Sequence, residues 1–139
     1  MNWFNTITED NKTKVFDPNR KIFCALTPEE EVRQKMLYYL VEVKKYPAGL
    51  IAVEYSIKVN ALPKRCDIVV FNKDAKPKMI VECKAESVAI TQKVLDQAIR
   101  YYSGLNAEYL VLTNGKTMFC YHIDVQNKKL ETLGELPVF

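Results

Sequence analysis

A single histidine, four scattered cysteines and the lack of any long apolar run set the first limits on this chain of 139 residues. His122 alternates with Tyr121 and Ile123 in a strand-like segment and has no partner at metal-site spacing, so it reads as structural. Cys24, Cys66, Cys83 and Cys120 form no CxxC and no Cys/His pair, and Cys66, Cys83 and Cys120 fall in predicted strands. That pattern argues against a zinc site or a disulfide framework and for buried free thiols in a cytosolic protein. No apolar run approaches the roughly 18 residues of a membrane span, and the N-terminus MNWFNTITEDNK has no signal-peptide core. A cytoplasmic protein without a membrane partner is therefore expected. Repeats and low-complexity tracts are absent. Asn114-Gly115-Lys116-Thr117 ends like a phosphate-binding P-loop, but position 110 is leucine where that motif needs glycine, and no helix follows. Nucleotide binding is excluded.

What remains is ordinary globular material. Hydrophobic residues make up 48% and charged residues 27% of the chain, enough for one self-sufficient core over residues 1–139. The net charge of +3 permits nucleic-acid binding without arguing for it, because the basic residues form no compact cluster. Residues 1–25 read as a loosely built N-terminal arm with a turn at Asp17-Pro18-Asn19-Arg20 and a short strand at Ile22–Ala25. Thr27-Pro28-Glu29 starts a helix, with Thr27 as N-cap, proline at the first position and Glu30 at capping-box spacing. The helix should run to about Lys45, with Val32, Met36, Leu37 and Leu40 as its apolar stripe. Glu29 falls near the middle of that stripe, Glu30 at its edge, and Glu31 points away. Acids there also suit the helix dipole without any further role.

Leu50 to Val59 alternates as a strand, with Ile51, Val53, Tyr55, Ile57 and Val59 on one face and Glu54 on the other, a solvated face residue in preference to another charge near the site. Asn60-Ala61-Leu62-Pro63 turns it back. A second helix is expected from Thr91 to Leu105, burying Val94, Leu95, Ala98, Tyr101, Tyr102 and Leu105. Gln97 and Tyr101 lie one turn apart on its margin, either positioning a water, a phosphate or a lysine, or forming a half-buried hydrogen-bonded pair. Tyr109–Thr113 and Lys116–Asp124 form a hairpin around Asn114-Gly115, read as type I′ turn chemistry. A tail, residues 125–139, follows with a turn at Gln126-Asn127.

The stretch with the most chemistry is KRCDIVVFNKDAKPKMIVECK, Lys64 to Lys84. Asp67 heads one short β-branched run, and Glu82 and Lys84 close another, with turn formers between them. In a hairpin turning near Asp74 to Lys76, Asp67 meets Glu82 across the ladder. Glu82 and Lys84, two residues apart, share a face with Cys83 opposite. Two carboxylates converging at the end of an apolar hairpin cost desolvation energy unless a cation compensates, and their hard oxygens suit Mg²⁺. A neighbouring lysine can hold or deprotonate an attacking water.

Asp67 followed by Glu82-Cys83-Lys84 resembles the PD-(D/E)xK nuclease signature, with Cys66 where proline usually stands. LTPEEEVRQ, LIAVEYSIKVN, RCDIVVF, VECK, ITQKVLDQAIRYY and YLVLTNG together resemble the N-terminal nuclease domain of type I restriction enzyme R subunits, in its stand-alone form. The resemblance covers roughly residues 20–124. It implies a restriction-endonuclease-like α/β (α+β) fold, with a mixed central sheet of about five strands flanked by helices. It also implies a DNA endonuclease using Mg²⁺ or Mn²⁺. On that resemblance Asp67 and Glu82 bind the metal with the Cys83 backbone carbonyl as a further ligand, and Lys84 orients the water. Glu29, or failing it Glu30, is the accessory helix acid, while Gln97 and Tyr101 flank the site. In the full subunit a helicase motor follows this domain. No P-loop occurs in these residues, so type I restriction by this chain alone is not expected, and a protein partner could supply target choice. Double-strand cutting calls for two sites, which a homodimer would provide. The competing expectation is a catalytically silent module of the same fold that binds nucleic acid or protein.

Overall fold

Thr27 does cap a helix: in a computed structural model of the chain its hydroxyl accepts from the Glu30 N–H at 3.0 Å, and Pro28 stands at the first position. The structure describes residues 1–124 and 126–139. Val125, where the expected tail begins, lies outside them. The elements run β1 (Thr6–Glu9), β2 (Lys12–Asp17), β3 (Ile22–Ala25), α1 (Pro28–Tyr38), β4 (Ile51–Val59), β5 (Leu62–Phe71), β6 (Pro77–Cys83), α2 (Gln92–Tyr101), β7 (Tyr109–Thr113), β8 (Met118–Asp124) and β9 (Lys129–Leu133). A π-helical turn at Tyr39–Val43 extends α1 almost to the expected end.

Six strands form one mixed sheet in the order β4-β5-β6-β7-β8-β9. All neighbours are antiparallel except β6 and β7, which run parallel because α2 makes the crossover between them. The sixth strand, β9, comes from the tail, which also delivers the buried Leu136 to the core. The helices cover opposite faces. Val32, Met36 and Leu37 of α1 and Leu40 of the π-helical turn pack with Ile68, Val70, Met79, Val81 and Val111. Ala98 and Tyr102 at the C-terminal end of α2 pack with Cys66, Val69, Ile80, Leu110 and Leu112. The central strands are thus covered on both sides, which explains why β5 and β6 read as continuous apolar runs rather than alternating ones.

The arm is better built than its sequence suggests. Besides the expected strand at Ile22–Ala25, β1 and β2 complete a three-stranded antiparallel sheet. The turn that follows docks this sheet on the core: Asp17, fully buried, accepts from the Asn19 and Arg20 N–H groups, the Arg20 guanidinium and the Gln34 amide. Two other turns differ from expectation. Leu62 and Pro63 belong to β5, and the β4–β5 turn is Asn60-Ala61 alone, both left-handed. In the turn between β7 and β8 Gly115 is left-handed but Asn114 is not, so the turn is not type I′. Instead the buried Asn114 carboxamide organises a four-residue loop, accepting from the Lys116 and Thr117 N–H groups and donating to the Val88 carbonyl. That last bond pins the segment that leaves the site after Lys84.

Candidate active site

Strand alternation puts residues two apart on one face, and β4 and β5 break this rule at one place. Val53 packs on the α1 side, yet Ile57 and Val59 pack on the α2 side. Likewise Cys66 faces α2 whereas Ile68 and Val70 face α1. Both strands turn over at Glu54 and Asp67, which drop out of an otherwise continuous ladder, and Glu54 adopts a left-handed φ of 51°. A non-glycine residue held there costs on the order of 1–3 kcal/mol. The single face expected for Ile51 through Val59 is therefore corrected, because the kink reverses it.

The kink swings Asp67 into the gap between α1 and the end of β6. Its Oδ2 accepts from the Cys83 N–H at 2.7 Å and its Oδ1 from Arg33 Nη1 at 3.3 Å. The adjacent pairing Ile68↔Val81 sets Asp67 opposite Glu82, as the hairpin reading required. Burial pushes the Asp67 carboxyl up to about 6. The Cys83 N–H and the Arg33 guanidinium pull it down, and the charges of Glu29 and Glu82 push it further up.

Glu82 projects toward α2. Its Oε1 accepts from the Tyr102 hydroxyl at 3.2 Å, and its Oε2 lies 3.9 Å from Lys84 Nζ, so Glu82 and Lys84 do share a face. Burial and the Glu82 charge raise the Tyr102 hydroxyl far above its ordinary value, which keeps it a proton donor. Cys83 points the other way, into the α1-side core. A cavity of about 190 Å³ opens beside Glu82 and Lys84, walled by Val94, Gln97, Ala98 and Tyr101. Gln97 makes no side-chain hydrogen bond among the described residues, and it faces this cavity. Tyr101 is exposed rather than buried, and its hydroxyl accepts from the Arg65 N–H at 2.9 Å. Beyond Asp67 that N–H has lost its β6 neighbour, so the phenol closes an open strand edge.

The two helix acids separate cleanly. Glu30 is buried and fully engaged, accepting from Arg20, Arg33 and Gln34. Glu29 is exposed, and its charge reaches Asp67. Glu54 is not merely solvated: it lies within 3.1–3.6 Å of Arg65, Arg33 and Arg20. A network therefore runs from Asp17 through Arg20, Glu30 and Arg33 to Asp67 and Glu54. Sequence reasoning missed Arg20, Arg33 and Tyr102 as parts of this site. With the turn confined to Asn60-Ala61, the register alone would have set Glu54 opposite Asp67. Among the described residues no group of three or more His, Cys, Asp or Glu side chains converges in a metal-holding arrangement.

Comparison with solved structures returns nuclease-like folds. A candidate nuclease belonging to DUF820 from Anabaena variabilis ATCC 29413 superposes with a TM-score of 0.53 at 13% identity, over 97% of this chain and 82% of that one. The type IIG restriction endonuclease BpuSI is similar at a TM-score of 0.45 and 21% identity, over 71% of this chain but 11% of that one. No curated protein sequence matches. Residues 28–137 match the family described as type I restriction enzyme R protein N terminus. That stretch spans every element from α1 to β9, including the kinked hairpin with Asp67, Glu82 and Lys84, and the chain belongs to this family of restriction-type nuclease domains.

Proposed function

We propose that this domain is a metal-dependent endonuclease that hydrolyses DNA phosphodiesters at the end of the β5–β6 hairpin. The observation that carries this reading is Asp67 standing across the hairpin from Glu82, close enough for the Glu82 charge to act on its carboxyl, with Glu82 in turn beside Lys84 and an open cavity. A carboxyl raised to about 6 marks negative charge that the protein alone leaves underbalanced, and a cation would offset it. Two carboxylates suit Mg²⁺ or Mn²⁺, because Mg²⁺ retains several waters and takes few protein ligands. Asp67 and Glu82 would hold the ion, with the Cys83 carbonyl and the exposed Glu29 completing the set; Glu30 is already consumed by Arg20, Arg33 and Gln34. When bound, the metal supplies Lewis acidity at the phosphate and acidifies a water.

The chain's own groups do the rest. Lys84, a partly exposed ammonium at the cavity, orients the attacking water by donating an N–H to its oxygen. Gln97, free on the cavity wall, can hold a water or a phosphate oxygen. Tyr102 fixes Glu82 by donating to Oε1, leaving Oε2 toward Lys84. Arg33 positions Asp67 from the α1 side.

One observation favours a second reading, a silent binding module: Arg33 already meets Asp67 Oδ1 with a positive charge. Incubating the protein with plasmid and single-stranded DNA, with Mg²⁺, Mn²⁺ or chelator, separates the two. The nuclease reading expects metal-dependent cleavage that Lys84→Ala abolishes while Mn²⁺ binding persists, and Asp67→Ala should weaken Mn²⁺ binding itself. Cleavage undiminished in both variants would refute the site assignment. Absence of both cleavage and metal binding would favour the silent module.

A further inference from the structure

β4 and β5 do not end at the site. Past Glu54 and Asp67 they continue as a two-stranded ribbon through residues 55–66, paired from Tyr55↔Cys66 to Val59↔Leu62 and closed by Asn60-Ala61. β6 no longer accompanies β5 there. Six residues from the kink to the tip amount to about 20 Å at 3.3 Å per residue, or about six base pairs at 3.4 Å each.

The two faces of the ribbon differ. Ile57 and Val59 pack on the α2 side, and Lys64 lies over the Tyr101 ring at 4.6 Å. The opposite face carries Ser56 across from Arg65 and Lys58 across from Pro63, all exposed. No acid occurs between Tyr55 and Cys66, whereas Lys58, Lys64 and Arg65 all do. Arg65 does pair with Glu54 at 3.1 Å, but its side chain is 65% exposed and a surface pair of that kind holds weakly. Glu54 keeps Arg20 and Arg33 if Arg65 leaves. The core gains nothing from cations or an exposed Leu62 at this tip.

We propose that the ribbon of residues 55–66 is a duplex-binding arm, with Lys58 and Arg65 meeting the phosphates of B-form DNA and the tip lying along a groove. A two-stranded ribbon fits the major groove, which is about 12 Å wide. The inference rests on the nuclease reading for where the scissile phosphate sits, and it assigns that site a double-stranded substrate. The arm engages the duplex within about six base pairs of the carboxylates, through the ribbon face turned away from α2.

The test is binding without metal. Anisotropy titrations in chelator use a B-form duplex and the single strand of the same sequence, for wild type, Lys58→Ala/Arg65→Ala, and Lys12→Ala on the separate three-stranded sheet. Removing one phosphate-neutralising side chain flattens the plot of log affinity against log salt by about 0.9. The double variant should therefore be shallower by about 1.8 on duplex, so wild type loses about tenfold more affinity between 50 and 200 mM salt. Lys12→Ala should match wild type. If the double variant melts early, Lys58→Glu, which removes no packed group, replaces it. Coincident slopes, or a wild type that prefers the single strand, would overturn the proposal and leave the lysine and proline as guards of an open strand edge. Failure of the nuclease reading looks different: duplex bound with the expected slopes but never cleaved with metal.

Discussion

Replacing Asp67 by asparagine should stabilise the metal-free protein at pH 8 and give no such gain at pH 4. The folded carboxyl titrates at about 6 against an ordinary value of 3.8. Its raised value means that the folded state holds the proton more tightly than the unfolded state. Stability is therefore lost as pH climbs from 3.8 to about 6, and the penalty is complete above that window. At 1.36 kcal/mol per pKa unit the full penalty is about 3 kcal/mol. The group is mostly buried, with 19% of its side chain exposed, so little of this is screened. Asparagine removes the charge and keeps an oxygen for the Cys83 N–H, but it turns a donor toward Arg33 and forfeits that hydrogen bond, an offset of about 1 kcal/mol. The net gain at pH 8 is about 2 kcal/mol, a rise in Tm of several degrees for a domain of this size. Melting curves in chelator at a series of pH values test this. The gain should appear between pH 4 and 6 and then level off. Added Mn²⁺ should erase it by stabilising wild type alone. An Asp67→Asn variant equally destabilised at pH 4 and pH 8 would refute the charge-imbalance argument.

Other perturbations read out other parts of the framework. Arg33→Met strips the buried Glu30 of its α1 partner and should destabilise by about 3–5 kcal/mol, measured by urea unfolding; a loss below 1 kcal/mol would mean that Arg20 suffices. Asn114→Ala should cost about 1–3 kcal/mol through unsatisfied loop N–H groups, and amide exchange should quicken around Val88. Gly104→Ala places a Cβ 2.8 Å from Val59 Cγ1 at a φ of +88°, so it should lower stability by about 1–3 kcal/mol. An unchanged urea midpoint would show that the tip of the ribbon yields.

Much of this fold was legible because its local signals agree. The Thr27-Pro28 start, the β-branched runs of β5 and β6 and the turn formers between them are each settled within a few residues. Asp67 facing Glu82, and Glu82 with Lys84 on one face, follow from pairing arithmetic alone. β1 and β2 were not legible, since both are short and gain order from each other and from the buried Val15 and Asp17, the latter bonded to Gln34 seventeen positions on. Arg33 was missed, and Glu54 expected on a solvated face, for a related reason. A kink is a tertiary compromise, and alternation read along β4 places Glu54 on the wrong side of it. Tyr102 is buried as expected, turning inward to reach Glu82, whereas Tyr101, the last residue of α2 ten positions after its cap, is exposed.

The polar chain from Asp17 to Asp67 bears on where this domain can be divided. The family match begins at Pro28, after the three-stranded sheet, yet Glu30 and Gln34 inside the match take Arg20 and Asp17 as partners from before it. A fragment starting at Pro28 would keep the whole matched region and still leave Gln34 short of an acceptor and Glu30 with half its cations. The region that sequence comparison recognises is thus smaller than the bonded network that holds Glu30 and Gln34. The first 25 residues behave as a buttress, whose removal should be felt at the carboxylates it never touches.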